Sequence, residues 1–474
     1  MNERDYDDFA DERDAAPETD PPPDWDVIEA QANQALRVAS EQEVAVRRTF
    51  RIDPGAYVLT SGQEDARAAL EALVAANGVH VCAGYAGTGK SVLLIQLAKA
   101  LRQAGIPYAV VTPTGRAAAR LRAGGIEAQT IHSWMYCPII DEQTHELRGF
   151  RKKEEMDLPG RFVLLADEAS MLGPTVLMDL LQIMMPSIGG RCIALFGDAF
   201  QLPPILTPDE VSEYGENFSM LDRGNVEALG AGWTEMVEVV RQAKASRVLQ
   251  LATALRSGTG GPMPDMREVT VSRGRRDRLE AQLQSFDPLA DQVSLTWTNA
   301  DRNALNAAAR KARGFTRPIE PTERVVVLAN HQPLGYANGD LLDLEVIGDP
   351  YVCSGCLVRP ASFRDPYGVI RKSLIIVIPE VESQSAAKVS PFALAQRVRD
   401  KTDELPLVVD YGYCLTVHKA QGCEFQRVQV YAPDVLIKVV GETQARRWLY
   451  TAVTRAKAEF WFAGGGILAY WMGA

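Results

Sequence analysis

Short runs of apolar residues recur along the chain, and each stops at a small or polar residue. The runs at 79–83, 108–111, 162–166 and 193–196 have the length of a buried parallel strand, because a strand covered on both faces needs no polar alternation. Stretches with helical spacing, such as 92–103 and 115–122, lie between most of them. That alternation predicts a doubly wound α/β domain, whose ligands sit beyond the carboxyl ends of its strands. The theme returns at 292–297, 413–416, 428–431 and 460–463. Two α/β units are therefore expected, divided near residue 230: 27–230 and 231–474.

Two inserts interrupt the scheme. Residues 134–160 run from Trp134 through the charged Arg151-Lys-Lys-Glu-Glu155. They are too short for a core of their own, and a β-hairpin fits. Residues 340–405 alternate apolar and polar positions (Leu342, Leu344, Val346), with turn signals at Gly348-Asp-Pro350 and Asp365-Pro-Tyr-Gly368. They predict a small β domain.

Charge is unevenly spread. Residues 1–26 hold eleven acids against Arg4 and Arg13, a contribution of −9 to the total of −11 that leaves −2 on the remaining 448 residues. A near-neutral body can carry a local basic channel, so net charge neither supports nor excludes nucleic acid. The acidic, Pro-rich segment 1–24 is expected to be disordered, as a solubilising tail or a partner-binding arm, with a helical pattern following at 27–48. No apolar run reaches the roughly 18 residues of a membrane span. The acidic start is no signal peptide, so a soluble cytoplasmic protein is expected. Seven cysteines in 474 residues make no disulfide scaffold. Cys353 and Cys356 form a lone CxxC with no second pair to complete a zinc site.

Chemistry enters at Gly84-Tyr-Ala-Gly-Thr-Gly-Lys-Ser91, which follows an apolar strand and opens a helix. This is the phosphate-binding loop in its required context. Without Cβ atoms at Gly84, Gly87 and Gly89, the backbone around Thr88 can wrap phosphates with its N–H groups. Lys90 would set a cation on the β- and γ-phosphates, and Ser91 would offer a hydroxyl to Mg²⁺. The strand at 162–166 releases Asp167, suited to Mg²⁺, and Glu168, suited to polarising the attacking water. A third strand runs into Gly197-Asp198-Ala-Phe-Gln201, where Asp198 and Gln201 suit a γ-phosphate sensor. Upstream, Gln63 could bond adenine with donor and acceptor together.

The order of these blocks over about 55–465 resembles the superfamily 1 helicases, in the 5′-to-3′ branch of RecD-like and Dda-like enzymes. The resemblance also rests on Val111-Thr-Pro-Thr-Gly-Arg-Ala-Ala118, Thr130-Ile-His-Ser133, Val239-Val-Arg-Gln242 and Thr296-Trp-Thr-Asn299. Leu415-Thr-Val-His-Lys-Ala-Gln-Gly-Cys-Glu-Phe425 and Leu449-Tyr-Thr-Ala-Val-Thr-Arg-Ala456 complete it. It implies two RecA-like P-loop domains, a short β-hairpin wedge in the first and a small SH3-like insert in the second. It implies ATP with Mg²⁺, and Arg455 and Arg241 reaching the γ-phosphate from across the cleft, with Glu424 near the ribose. Thr114, Arg116, Thr130, His132, Thr416, His418 and Lys419 would line a groove for single-stranded DNA, through contacts to its backbone. Trp134 or Phe150 could stack on a base at the fork, core packing being the plainer role for Trp134. A monomeric motor working on single strands and forks is implied, with a partner protein able to dock on the tail. Two other readings share these blocks: a translocase without strong unwinding, and a nucleotide-gated switch.

Overall fold

The computed structural model describes residues 50–76, 78–140, 147–153, 156, 158–184, 190–240, 246–257, 271–272, 291–365, 368–379, 390–432 and 436–463. The expected acidic tail, the helix at 27–48 and Arg241 lie outside the described residues.

A six-stranded parallel sheet forms the first unit, in the order Gln129–Thr130, Tyr108–Thr112, Phe162–Ala166, Arg191–Gly197, Gly78–Gly84, Gly232–Met236. Successive side chains of a strand point to opposite faces, and the packing follows. Cys82 joins Leu70, Leu94 and Leu97 of the helices Ser61–Ala75 and Lys90–Gln103. Its neighbours Val81 and Ala83 join Leu177 and Leu180 of the helix Pro174–Met184 on the other face. Both faces are covered, which is why these runs are apolar throughout. The last strand corrects the division expected near 230. Gly232–Met236 pairs with the P-loop strand, His80 opposite Gly232 and Gly84 opposite Met236. It is an edge strand, mostly half-exposed, and so carries no apolar run to announce it.

The second parallel sheet has the order Cys414–Thr416, Gln292–Thr296, Phe425–Tyr431, Ala456–Ala463, Val271–Ser272. Trp448 and Tyr450 of the helix Leu436–Val453 pack into its core with Phe425, Phe460 and Phe462, as does the helix Arg247–Ser257 through Leu251 and Leu255. Leu202 belongs to this core too, although it follows a strand of the first sheet. The two units are thus joined by buried apolar contact.

The insert is larger than 340–405. Six strands run in the order Leu341–Ile347, Arg324–Val327, Leu407–Tyr411, Ile370–Val377, Cys356–Arg364, Tyr351–Cys353, drawing in chain on both sides. Leu341–Ile347 also pairs with Cys356–Arg364, closing the sheet on itself around Phe363, Val325, Leu344 and Ile375. Cys353 and Cys356 face each other across the tight turn at Ser354 and Gly355, both thiols free.

Tyr136–Ile140 and Leu147–Lys152 pair antiparallel within the stretch 134–160. The pair is bolted to the helix Pro174–Met184, for the Tyr136 hydroxyl and Lys152 Nζ donate to the two oxygens of Asp179 at 2.6 and 3.1 Å. Trp134 is 5% exposed and lies nearly parallel to Phe162, ring centroids 6.4 Å apart. It is a core residue, not a base-stacking one. Among the described residues no helix is long and apolar enough to cross a membrane.

Candidate active site between the two sheets

The P-loop leaves the strand Gly78–Gly84 and enters the helix Lys90–Gln103. Gly89 sits at φ +86°, and a Cβ there would lie 2.5 Å from Gln63 Nε2, so both backbone and space demand glycine. Gln63, expected at adenine, also bonds to the chain with its amide. Its Nε2 donates to the Thr88 carbonyl at 2.8 Å and its Oε1 accepts the Thr60 N–H at 2.9 Å. Thr60-Ser-Gly-Gln63 is a capping box, and it braces the loop. Thr88 is fully buried and bonds back to the Tyr85 carbonyl at 2.8 Å. Lys90 Nζ donates to the Gly84 and Tyr85 carbonyls at 2.7 and 2.9 Å, beneath the loop. Burial pulls its pKa down, and Asp198, Glu168 and Asp167 pull it back up.

Phe162–Ala166 ends at Asp167 and Glu168, both buried. Glu168 adopts φ +54°, a left-handed conformation that is costly for a non-glycine and common at functional sites. Asp167 Oδ1 accepts the Glu168 N–H at 3.0 Å, which leaves Oδ2 facing the cleft residue Arg120 at 3.2 Å. Burial raises the Asp167 pKa, and the Arg120 charge counters that rise. Gln201 is 6% exposed, and its Oε1 is buried with no hydrogen-bond partner.

These groups line one wall of a cleft of about 440 Å³, with Gly87, Gly89, Lys90 and Ser91 at its floor. The opposite wall comes from the second sheet: Glu424, Thr454, Arg455 and Lys457. Arg455 is 3% exposed, its guanidinium held by the Thr451 and Cys423 carbonyls at 3.1 and 3.2 Å and by Thr454 Oγ1 at 3.0 Å. Arg241 lies outside the described residues, yet its chain neighbour Val240 donates its N–H to the Gly87 carbonyl at 3.1 Å. The chain as far as Val240 therefore reaches the P-loop. The cleft fits a nucleoside triphosphate with a divalent cation: a glycine-lined cradle, cations on both walls, a free amide oxygen, and hard oxygen donors at Ser91 and Asp167.

Three further residues matter here: Arg120 and Arg256 lie outside the quoted sequence blocks, and Tyr450 lies inside one with no role drawn from it. Arg120 bridges both walls, 3.1 Å from Glu424 Oε1 as well as 3.2 Å from Asp167. Arg256 of the helix Arg247–Ser257 pairs with the fully buried Asp198 and lies 3.6 Å from the centre of the Tyr85 ring. Tyr450 donates its hydroxyl to Asp198 and accepts the Ala86 N–H at 3.1 Å.

The expected strand groove is partly gathered. Thr114 caps the helix Gly115–Ala123 and touches the loop after Cys414–Thr416, since a Cβ on Gly422 would lie 2.7 Å from Thr114 Oγ1. Thr416 Oγ1 accepts the Lys419 N–H at 3.3 Å on that same loop. Burial lowers the pKa of His418, and burial with help from Arg302 takes Lys419 to about 8. Arg116 turns inward, its Nη1 donating to the Gly339 carbonyl at 3.2 Å and its Nε 3.4 Å from Asp340. It clasps the entry to the insert. Thr130 caps the short helix Ile131–Met135, and His132 is exposed, its ring 5.4 Å from that of Tyr136.

Residues 58–275 match the AAA domain family, and 411–463 match the UvrD-like helicase C-terminal domain. The ATP-dependent RecD2 DNA helicase of Deinococcus radiodurans is 26% identical over 409 residues, 85% of this chain and 49% of that protein. The probable conjugal transfer protein TraA of Sinorhizobium fredii is 25% identical over 422 residues, 84% of this chain and 32% of that protein. The chain thus spans half or less of the length of these curated relatives. A solved Pif1 helicase from Bacteroides, in complex with ADP-AlF3 and ssDNA, superposes with TM-score 0.52 at 18% identity over 88% of this chain and 94% of that one. Pif1 helicase from Candida albicans gives TM-score 0.51 at 19% identity, over 86% and 95%. The two parallel sheets are accordingly RecA-like domains. By this fold, the matched family models and the two-walled cleft, the chain is similar to the RecD- and Pif1-like branch of superfamily 1.

Proposed function

We propose that this protein is an ATP-driven DNA helicase, moving 5′-to-3′ on single-stranded DNA. One observation carries the reading: a single cleft is lined by the P-loop of one RecA-like domain and by Arg455 and Glu424 of the other. A triphosphate bound there would be gripped from both sides, so its hydrolysis changes how tightly the domains hold each other.

Lys90 would neutralise the β- and γ-phosphoryl oxygens, and Glu168 would polarise the attacking water, with the unpartnered Gln201 Oε1 orienting it. Arg455, joined by Arg241, would stabilise charge on the transferring phosphoryl group. Ser91 and Asp167 would hold Mg²⁺, which when bound neutralises phosphate charge. Glu424 would lie by the ribose.

Thr114, Thr130, His132, Thr416, His418 and Lys419 would hold the strand by its backbone, without reading sequence. Thr114 belongs to one domain and Thr416 to the other, so opening and closing the cleft would move one grip relative to the other. The hairpin would serve as the wedge, and the closed β insert corresponds in place to an SH3-like module. Polarity and the DNA track follow the likeness to the RecD2 and Pif1 helicases. Unwinding of forks bearing a 5′ or a 3′ single-stranded tail tests the reading, together with hydrolysis by Lys90→Ala. Strand-stimulated turnover undiminished in that variant would refute it.

A further inference from the structure

Arg120 occupies a position that the mechanism above leaves unused. It lies on the helix Gly115–Ala123, and its Nη2 is 3.2 Å from Asp167 Oδ2 and 3.7 Å from Glu168 Oε1. Its Nη1 is 3.1 Å from Glu424 Oε1, on the other domain. One guanidinium thus meets three carboxylates drawn from both walls of the cleft. The side chains of Asp167 and Glu168 are only 3% and 10% exposed, so two adjacent anions would stand nearly desolvated without a counter-charge.

The geometry at Asp167 sets Arg120 and an incoming cation in competition. Its Oδ1 is taken by the Glu168 N–H, and its Oδ2 by Arg120. A divalent cation approaching Asp167, directly or through its water shell, meets the Arg120 charge there, 3.2 Å from Oδ2. Arg120 Nε, meanwhile, is buried with no partner. The guanidinium therefore has a donor unused in the bridged state and available to an incoming anion.

We propose that Arg120 is a displaceable internal cation, which holds the Asp167–Glu168 pair and pins the cleft through Glu424 until a divalent ion takes its place. The inference rests on the cleft being the nucleotide site and deepens it: cation entry at Asp167 would release the Arg120 bridge. Arg120 is a positioning residue in this scheme.

Mn²⁺ serves as the probe, with the full chain free of nucleotide. Binding is followed by electron paramagnetic resonance, and cleft opening by distances between spin labels placed one on each RecA-like domain. Arg120→Gln removes a charge that competes at about 3–4 Å and should tighten Mn²⁺ binding by about tenfold or more. Arg120→Lys keeps a point charge and should restore weak binding, but it loses the fork that spans both walls. Glu424→Gln should widen the interdomain distance without tightening Mn²⁺ binding. In the unaltered protein, Mn²⁺ alone should widen that distance, a readout that stands even if Arg120→Gln fails to fold. Mn²⁺ affinity unchanged or weakened in folded Arg120→Gln, or no widening on adding Mn²⁺ to the unaltered protein, would overturn the proposal. Loss of hydrolysis in Lys90→Ala beside unchanged Mn²⁺ affinity in Arg120→Gln would preserve the nucleotide reading and sink this one.

Discussion

Tyr450 donates its hydroxyl to Asp198 while accepting the Ala86 N–H at 3.1 Å, so one oxygen on the second domain ties together the P-loop and the loop after Arg191–Gly197 of the first. Arg256 completes the contact from the same side. Asp198 is fully buried, and a buried carboxylate that loses a donor keeps its desolvation cost. Tyr450→Phe should therefore destabilise the protein by about 1–3 kcal/mol, seen as a lower thermal unfolding midpoint. It should also raise the KM for ATP, because the Ala86 amide is left without its anchor. A melting midpoint and a KM both equal to the parent's would count against the coupling role.

Arg455 is held in place by two backbone carbonyls and a threonine hydroxyl, a setting that fixes a planar fork and suits no other side chain. Its substitution by alanine should lower kcat by about 10³-fold or more, the range found when a transition-state arginine is removed. Arg455→Lys should recover little of that, since a point charge cannot span the same acceptors. Steady-state hydrolysis with saturating single-stranded DNA measures both, and near-parental turnover in the lysine variant would contradict the assignment.

How legible the molecule is depends on the range over which each feature is encoded. The P-loop, Asp167–Glu168 and the strands before them are local, and a strand such as Phe162–Ala166 shows in sequence because both of its faces are buried. Gly232–Met236 does not show, because an edge strand has no need to be apolar. Gln63 carries two readings in the same residues, since Thr60-Ser-Gly-Gln63 spells a capping box, and the box is what the structure builds. Arg120, Arg256 and Tyr450 are silent, for their partners lie 47, 58 and 252 residues away along the chain. Arg256 and Tyr450 reach Asp198 only where two domains meet, while Arg120 reaches Asp167 within the first domain and Glu424 across the cleft. Trp134 illustrates the converse: an aromatic beside an insert suggests a fork, and packing on Phe162 claims it for the core.

The strand pair Tyr136–Ile140 and Leu147–Lys152 is anchored to Asp179 through Tyr136 and Lys152, so removing what lies between these two residues should spare the motor. Replacing 137–151 with a short Gly/Ser linker keeps Tyr136 and Lys152 on Asp179. Fork unwinding should fall steeply, while hydrolysis stimulated by single-stranded DNA should stay near the parental level. Equal unwinding by both proteins would remove the hairpin from the strand-separation step. Equal loss of both activities would point to a folding role instead.

Lys419 offers a test through pH. Burial and the nearby Arg302 take its pKa down to about 8, with Asp410 opposing, so the free protein loses this charge over about pH 7–9. A DNA phosphate beside Lys419 favours the ammonium and raises that pKa, so binding takes up a proton as the pH passes 8. Affinity for single-stranded DNA should accordingly decline between pH 7 and pH 9, more than the remaining groove cations alone would produce. The slope of log affinity against log salt should shrink by about 0.7 over the same interval, the value of one phosphate contact on a single strand. Lys419→Arg, charged at both pH values, should flatten the pH dependence, and Lys419→Met should bind at pH 7 as the parent does at pH 9. Fluorescence anisotropy at several salt concentrations measures all three. A pH profile identical in the parent and Lys419→Met would remove this lysine from the strand-binding groove.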